Sequence, residues 1–340
     1  MHQLLPSVEN LIDPVTLSTL EPAPIRSVRC EPVEMTSSNT GNRFYAVTTN
    51  ESRGPRYLLK RRYEGSNVIA SGPDGDFTRT VILWQHGVLD RLPNRIAHPI
   101  VACARDGTGY AILMRDVSDI LLSGDKRFTV EEHAFLLDTL AAIHAAFWED
   151  DQLRHLNLHT LSGYFLIEPD YEAWNYVEEF LEPDVAQVVR SLLQNPKPLY
   201  DALSSYPSTL VHNDVWYGNL GITRDKPKRV MMLDWDYATF APPGVELVLY
   251  IDQGFLVLPT HDEASIAETY RRYLAQRLGY PIDERAWQTQ LDLCFLGEFM
   301  RRSKWVLESA SRAADSEQRQ QLQERLSAWS RAVRRGAALL

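Results

Sequence analysis

Apolar and polar positions along the first third of the chain favour strands. Strand-like runs cover Ile25–Glu34, Asn42–Thr49 and Pro55–Tyr63. In Tyr57-Leu58-Leu59-Lys60 the period of two puts Lys60 on the same face as Leu58. The period lengthens at Phe77–Leu92, where Val81, Leu83 or Trp84, Val88 and Leu92 make a helical stripe that Pro93 closes. Two further strands follow at Ile96–Ala104 and Gly109–Met114, joined by the turn Arg105-Asp106-Gly107-Thr108. The predicted order is therefore three strands, a helix and two strands, preceded by an irregular or short-helical lead-in over residues 1–24.

Character changes at Met114-Arg115-Asp116-Val117, taken as the connection between two domains. A long helix is predicted over Thr129–Glu149, with Thr129 and Glu132 spaced as a capping box and His144 read as a satisfied core residue. Leu156–Phe165 fits neither period well. Tyr171–Phe180 and Pro183–Leu193 read as helices, and Asn195-Pro196-Lys197-Pro198 breaks the second. The runs Ser208–Val211 and Arg229–Leu233 read as strands flanking a polar turn. A hairpin or paired-strand arrangement of the two is expected to bring Asp214, Asn219 and Asp234 to one point. Beyond the turn Ala241-Pro242-Pro243-Gly244 the pattern is helical, over Val245–Leu256, Glu263–Leu278, Asp283–Ser303 or on past Trp305, and Ala313–Ala338. The expected domains are a lead-in (1–24), a small strand-rich domain (25–114) and a large, mainly helical one (115–340).

A length of 340 residues suits two domains. The formal charge of -10 counts against a nucleic-acid or anionic-membrane partner and is compatible with a cationic small substrate. Cys30, Cys103 and Cys294 are far apart, with no CxxC spacing, as expected of reduced thiols. Residues 1–9 lack a basic region followed by an apolar core, and charges interrupt every apolar stretch short of a membrane span. A cytoplasmic location is the expectation, with the oligomeric state open.

Three places carry candidate chemistry. Lys60 enters the inner face of an apolar strand and needs an anionic partner there. The segment Thr36-Ser37-Ser38-Asn39-Thr40-Gly41-Asn42 is a small, hydroxyl-rich loop between paired strands, able to lay backbone N–H groups over phosphates. The oxygens of Asp214, Asn219 and Asp234 suit Mg²⁺ holding oxyanions.

The octapeptide His212-Asn213-Asp214-Val215-Trp216-Tyr217-Gly218-Asn219, with Asp234 of Leu233-Asp234-Trp235-Asp236 fifteen residues beyond Asn219, closely resembles the HxDxxxxN motif and downstream Asp of the aminoglycoside phosphotransferase/choline kinase family. The resemblance covers roughly residues 25–310 and implies an α+β, protein-kinase-like, two-lobed fold: a small five-stranded antiparallel lobe with one helix, and a large helical lobe. It implies transfer of the ATP γ-phosphoryl group to a small-molecule hydroxyl. On that resemblance Asp214 accepts or orients the hydroxyl proton, Asn219 and Asp234 bind Mg²⁺, and His212 supports the loop. Lys60 pairs with the α/β-phosphates, residues 37–42 cover them, and Leu113–Val117, with Met114 and Asp116, present backbone groups to adenine. Asn213 replaces a usual Gly, and Glu246 stands where the family keeps a loop-bracing Asp.

One departure concerns Lys60. The family's first helix usually supplies a Glu to this lysine, but Phe77–Leu92 has Asp90 as its only acid, and Thr80 or a neighbour stands near the expected place. Asp74, Asp76, another acid or the ATP phosphates alone are left as partners. Asp236 is open among a second metal, the substrate and a hydrogen-bonded supporting role. Trp216, Tyr217 and Tyr237 either pack the loop or face an acceptor, and Glu298 is a candidate acid for a cationic one. A non-catalytic nucleotide-binding regulator is one alternative. A protein kinase is the other, against which stands the absence of A-P-E and DFG.

Overall fold

The computed structural model describes residues 1–33, 42–62, 79–122, 128–252, 262–313 and 315–340. The chain forms two compact units that are not contiguous in sequence. One comprises Met1–Lys126, His155–Leu158 and Asp214–Ala238; the other comprises Arg127–Arg154, His159–Asn213 and Thr239–Leu340.

The first unit is built on a five-stranded antiparallel sheet of β1 (Val28–Val33), β2 (Arg43–Thr49), β3 (Arg56–Arg62), β5 (Ile100–Asp106) and β6 (Gly109–Arg115). Their spatial order is β1-β2-β3-β6-β5. The expected strands are present, the fourth divided into a two-residue β4 (Ile96–Ala97) and β5. Gly109 is required at the start of β6, because a Cβ there would lie 2.0 Å from the Arg62 carbonyl oxygen. Helix Arg79–Gln85 follows the sheet's third strand in the chain and buries Val81, Leu83 and Trp84, as its stripe predicts. It gives way to a 3₁₀ turn at Leu89–Arg91, so the regular helix stops well before Pro93. Short helices Val8–Leu11 and Pro14–Leu20 form the lead-in, and Leu5 bridges to Ala104 of β5.

The two apolar runs around the polar motif do not pair with each other, a correction to the expected hairpin. β7 (Thr209–Val211) pairs with β10 (Thr239–Ala241) in the second unit. β9 (Val230–Met232) pairs antiparallel with β8 (Leu220–Ile222) and parallel with β4 in the first. The hairpin is thus β8–β9, immediately after Asn219. Strands of three residues are too short to display a period, and this is why β8 and β10 escape a reading of the pattern.

The second unit is mainly helical. Thr129 caps helix Val130–Ala146 in a capping box with Glu132, as the spacing predicts. Leu161–Phe165 resolves as a short helix capped by Thr160. Helices Gly244–Asp252 and Glu263–Leu278 precede Glu284–Arg312, a 29-residue helix, on which Ser316–Ala337 packs. Small residues permit the close contacts: a Cβ at Gly297 would meet the Phe165 ring at 2.5 Å, and one at Gly336 the Asp292 carbonyl oxygen at 2.5 Å. Cys103 and Cys294 are buried free thiols, and Cys30 is half-buried. No helix among the described residues is long and apolar enough to cross a membrane.

Candidate active site

The register of the large sheet assembles one face of a cavity of about 430 Å³ in the first unit. Phe44, Lys60 and Ile112 are cross-strand neighbours, as are Ala46, Leu58 and Met114, and all six line it. Alternation puts every second residue of β2, β3 and β6 on this face. Lys60 is thereby the cation in an otherwise apolar six-residue patch. Asp116, Val117 and Ser118 continue the lining beyond β6, and Asp116 accepts the Ser118 backbone N–H at 3.1 Å.

Asp214, Trp216, Gly218, Asn219 and Asp234 line the same cavity. Asn219 Nδ2 donates to Asp214 Oδ2 at 2.6 Å and to the Asp214 carbonyl at 3.1 Å. With the amide nitrogen committed to two oxygens, the amide oxygen is turned away from Asp214. Asp234 has left-handed backbone geometry (φ 59°), which Asp tolerates better than most residues, and it directly precedes the 3₁₀ turn Trp235–Tyr237. The Trp216 ring lies over Gly218, where a Cβ would be 2.6 Å away.

Lys60 joins the two aspartates of the Asp234-Trp235-Asp236 segment. Its ammonium donates to Asp234 Oδ1 at 2.8 Å and Oδ2 at 2.9 Å, and to Asp236 Oδ2 at 2.9 Å. Thr80 Oγ1, on the helix that lacks a Glu, donates to Asp236 Oδ1 at 2.7 Å. Arg62 Nη1 stands 3.5 Å from Asp236 Oδ2. Burial works against a charge on Lys60, but Asp234 and Asp236 outweigh it and raise its pKa above the ordinary lysine value. Burial likewise opposes ionisation of Asp236, yet Lys60 and Arg62 hold its carboxyl below the usual range. The partner of Lys60 is thus found, at a position the helix pattern gave no means of locating. Asp74 and Asp76 lie outside the described residues.

His212 and Asn213 belong to the second unit and are fully buried there. Both backbone N–H groups donate to Glu246 Oε1, and His144 Nε2 donates to Glu246 Oε2 at 2.7 Å. The other ring nitrogen of His144 meets the Tyr270 hydroxyl. His144 is therefore satisfied, as expected of a core histidine, but its partner is the acid that holds the chain just ahead of Asp214. Asn213 has φ 61°, the conformation that a Gly would adopt freely and Asn adopts with little strain.

A model of the phosphotransferase enzyme family, APH, matches residues 33–287, three quarters of the chain. The chain belongs to the phosphotransferase enzyme family. No curated protein sequence matches it. Solved structures share its fold. The choline kinase LicA of Streptococcus pneumoniae is 16% identical, with 95% of this chain and 99% of that one covered and a TM-score of 0.50. Spectinomycin phosphotransferase APH(9)-Ia, in complex with ADP and spectinomycin, is 14% identical over 98% of each chain, with a TM-score of 0.52. Plasmodium vivax ethanolamine kinase is 12% identical, covering 90% of this chain and 82% of its own, with a TM-score of 0.51. At such identities the likeness is one of fold, the protein-kinase-like fold expected from the motif. Family and fold together support an ATP-dependent phosphotransferase of small molecules.

In this phosphotransferase the remaining candidates are dispersed. Ser37, Ser38, Asn39, Thr40 and Gly41 lie outside the described residues. Tyr217 packs edge-on to Trp216 at 4.7 Å, and Tyr237 is half-buried; neither lines the cavity. Glu298, in the second unit, is buried against Arg301 at 3.1 Å and the Tyr164 hydroxyl at 3.3 Å. Thr80 and His144 enter the site's support through contacts that the sequence does not give. Their contacts span 156 and 102 residues of sequence, so no local signal names their partners.

Proposed function

We propose that this phosphotransferase moves the γ-phosphoryl group of ATP to a hydroxyl of a cationic small molecule, an amino alcohol or aminoglycoside, with a sugar as the remaining acceptor class. The observation that carries the reading is a single cavity lined by apolar residues of three strands together with Lys60, Asp214, Asn219 and Asp234. A nucleotide has the matching character, a flat apolar base at one end and charged phosphates at the other. In this reading the base occupies the sheet face near Met114 and Asp116, and Lys60 meets the α/β-phosphates. Residues 25–114 are then the nucleotide lobe, and 115–340 carry the catalytic loop and acceptor site.

The donor set fits Mg²⁺. Asp234 offers a carboxylate on which Lys60 already places a cation, and Asn219 offers an amide oxygen. An ion of this kind needs only one or two protein oxygens, with phosphates and water completing its shell. Bound there, Mg²⁺ supplies charge neutralisation on the β- and γ-phosphates. Asp214 orients the acceptor hydroxyl and takes its proton, with Asn219 Nδ2 fixing the carboxylate. His212 supports the loop through the backbone bond to Glu246. Trp216 offers a ring face to a cation or sugar. Solved structures of the same fold are named for choline, ethanolamine and spectinomycin, each a cationic alcohol, which supports the cationic class, as does the charge of -10.

Phosphorylation of a panel of amino alcohols, aminoglycosides and sugars with ATP·Mg²⁺ tests the proposal. An acceptor-dependent release of ADP, lost on adding EDTA, is expected. Stabilisation by ATP·Mg²⁺ without turnover on any member would leave a nucleotide-binding protein and reject the acceptor assignment.

A further inference from the structure

The Lys60 ammonium stands within hydrogen-bonding distance of three carboxylate oxygens, both of Asp234 and one of Asp236. A nucleotide phosphate approaching this lysine competes with the two carboxylates for its charge. The two carboxylates differ in their freedom to give it up. Asp234 lines the cavity and keeps 35% of its side chain exposed, whereas Asp236 is 7% exposed and does not line it. Asp236 also has both oxygens committed, Oδ1 to the Thr80 hydroxyl and Oδ2 to Lys60 with Arg62 beside it.

We infer that Asp236 is the positioning residue for Lys60, tied to the Arg79–Gln85 helix through Thr80, and that it keeps the lysine while Asp234 hands its two bonds over to phosphate. A helix Glu reaching Lys60 is unnecessary in this arrangement, because the acid stands at 236 and a helix hydroxyl fixes it. The segment 234–236 thereby divides its labour: Asp234 faces cation and nucleotide, Asp236 faces inward. Asp236 does not touch the reacting atoms and is no metal ligand. The inference rests on the nucleotide reading of the cavity.

ADP binding measured by calorimetry, in EDTA and again in Mg²⁺, separates the roles. For Asp236→Asn we expect metal-free ADP affinity to fall about ten- to a hundredfold, the worth of a charge-assisted bond, with the gain on adding Mg²⁺ preserved. For Asp234→Asn the metal-free affinity should hold or rise and the Mg²⁺ gain should vanish. Thr80→Val should follow Asp236→Asn more weakly, and Thr80→Ser should bind as the parent does. Loss of the Mg²⁺ gain in Asp236→Asn, with metal-free affinity intact, would make Asp236 a metal ligand and overturn the inference; so would unchanged binding in both conditions. If the parent protein binds no ADP, the cavity reading fails by itself. Urea unfolding of Thr80→Val, Asp236→Asn and the double variant then decides the latch, non-additive losses supporting it and additive losses rejecting it.

Discussion

Glu246 Oε1 accepts the backbone N–H groups of both His212 and Asn213, each at 3.0 Å. One carboxylate oxygen thus satisfies two consecutive buried amides just before Asp214, while the other oxygen takes the His144 ring. Neither Glu246 nor His144 has exposed side-chain surface, so water cannot replace a missing partner. The Glu side chain is long enough to reach both backbone amides with one oxygen while His144 holds the other.

Glu246→Leu is expected to cost about 3–5 kcal/mol, because it strands two backbone donors and a ring donor in the interior. Glu246→Gln keeps an acceptor oxygen and should cost less, roughly 1–3 kcal/mol. Urea unfolding at neutral pH measures both. Equal stability of the leucine variant and the parent would refute the bracing role.

Stability should fall on the acid side through the same residue. Burial raises the Glu246 pKa, but the His144 hydrogen bond and the charges of His144 and His212 outweigh it, and the net value is lowered. A depressed carboxyl contributes stability that is complete above its unfolded pKa, about 4.3, and is lost as pH falls through the folded value. Asp236, held low by Lys60 and Arg62 against burial, acts with the same sign. Urea midpoints followed from roughly pH 6 to 3 should decline, and Glu246→Gln should decline less steeply than the parent.

Asp214→Asn should lower kcat by about 10²–10⁴-fold and leave the KM for ATP within a few-fold, since the group acts on the acceptor proton. Asp234→Asn should raise the KM for ATP·Mg²⁺ as well. Steady-state kinetics on the acceptor found by the panel distinguish them. A folded Asp214→Asn enzyme with full turnover would remove Asp214 from the chemistry.

At Asn213 the left-handed φ of 61° sets the rule for substitution. Asn213→Gly should be nearly neutral: it relieves the backbone but gives up the 2.9 Å bond from Nδ2 to Thr239 Oγ1. Asn213→Val places a β-branched residue in that region and should cost about 2–3 kcal/mol. Thermal unfolding of the two variants provides the comparison, and a valine variant as stable as the glycine one would contradict it.

Much of this molecule follows from local pattern. The strands around Lys60, the face it occupies, the Thr129–Glu132 capping box and the spacing of Asp214, Asn219 and Asp234 can all be read from a few neighbouring residues. These features depend on alternation, helix ends and motif spacing, all of which act over less than about 25 residues of chain. Where the pattern was too short it failed. The three-residue strands β8 and β10 are too short to show a period, and the apolar runs flanking the motif pair with other strands than each other.

Tertiary structure decided the rest. Residues 214–238 return to the unit built from the first part of the chain, while His212 and Asn213 remain with the other. Asp236, 176 residues from Lys60, supplies its inward partner, and Thr80 ties that acid to the helix. Sequence alone shows that a buried lysine needs an anion. Which anion it finds depends on the packing of distant segments, because an ion pair in the interior forms wherever burial brings opposite charges to within bonding distance.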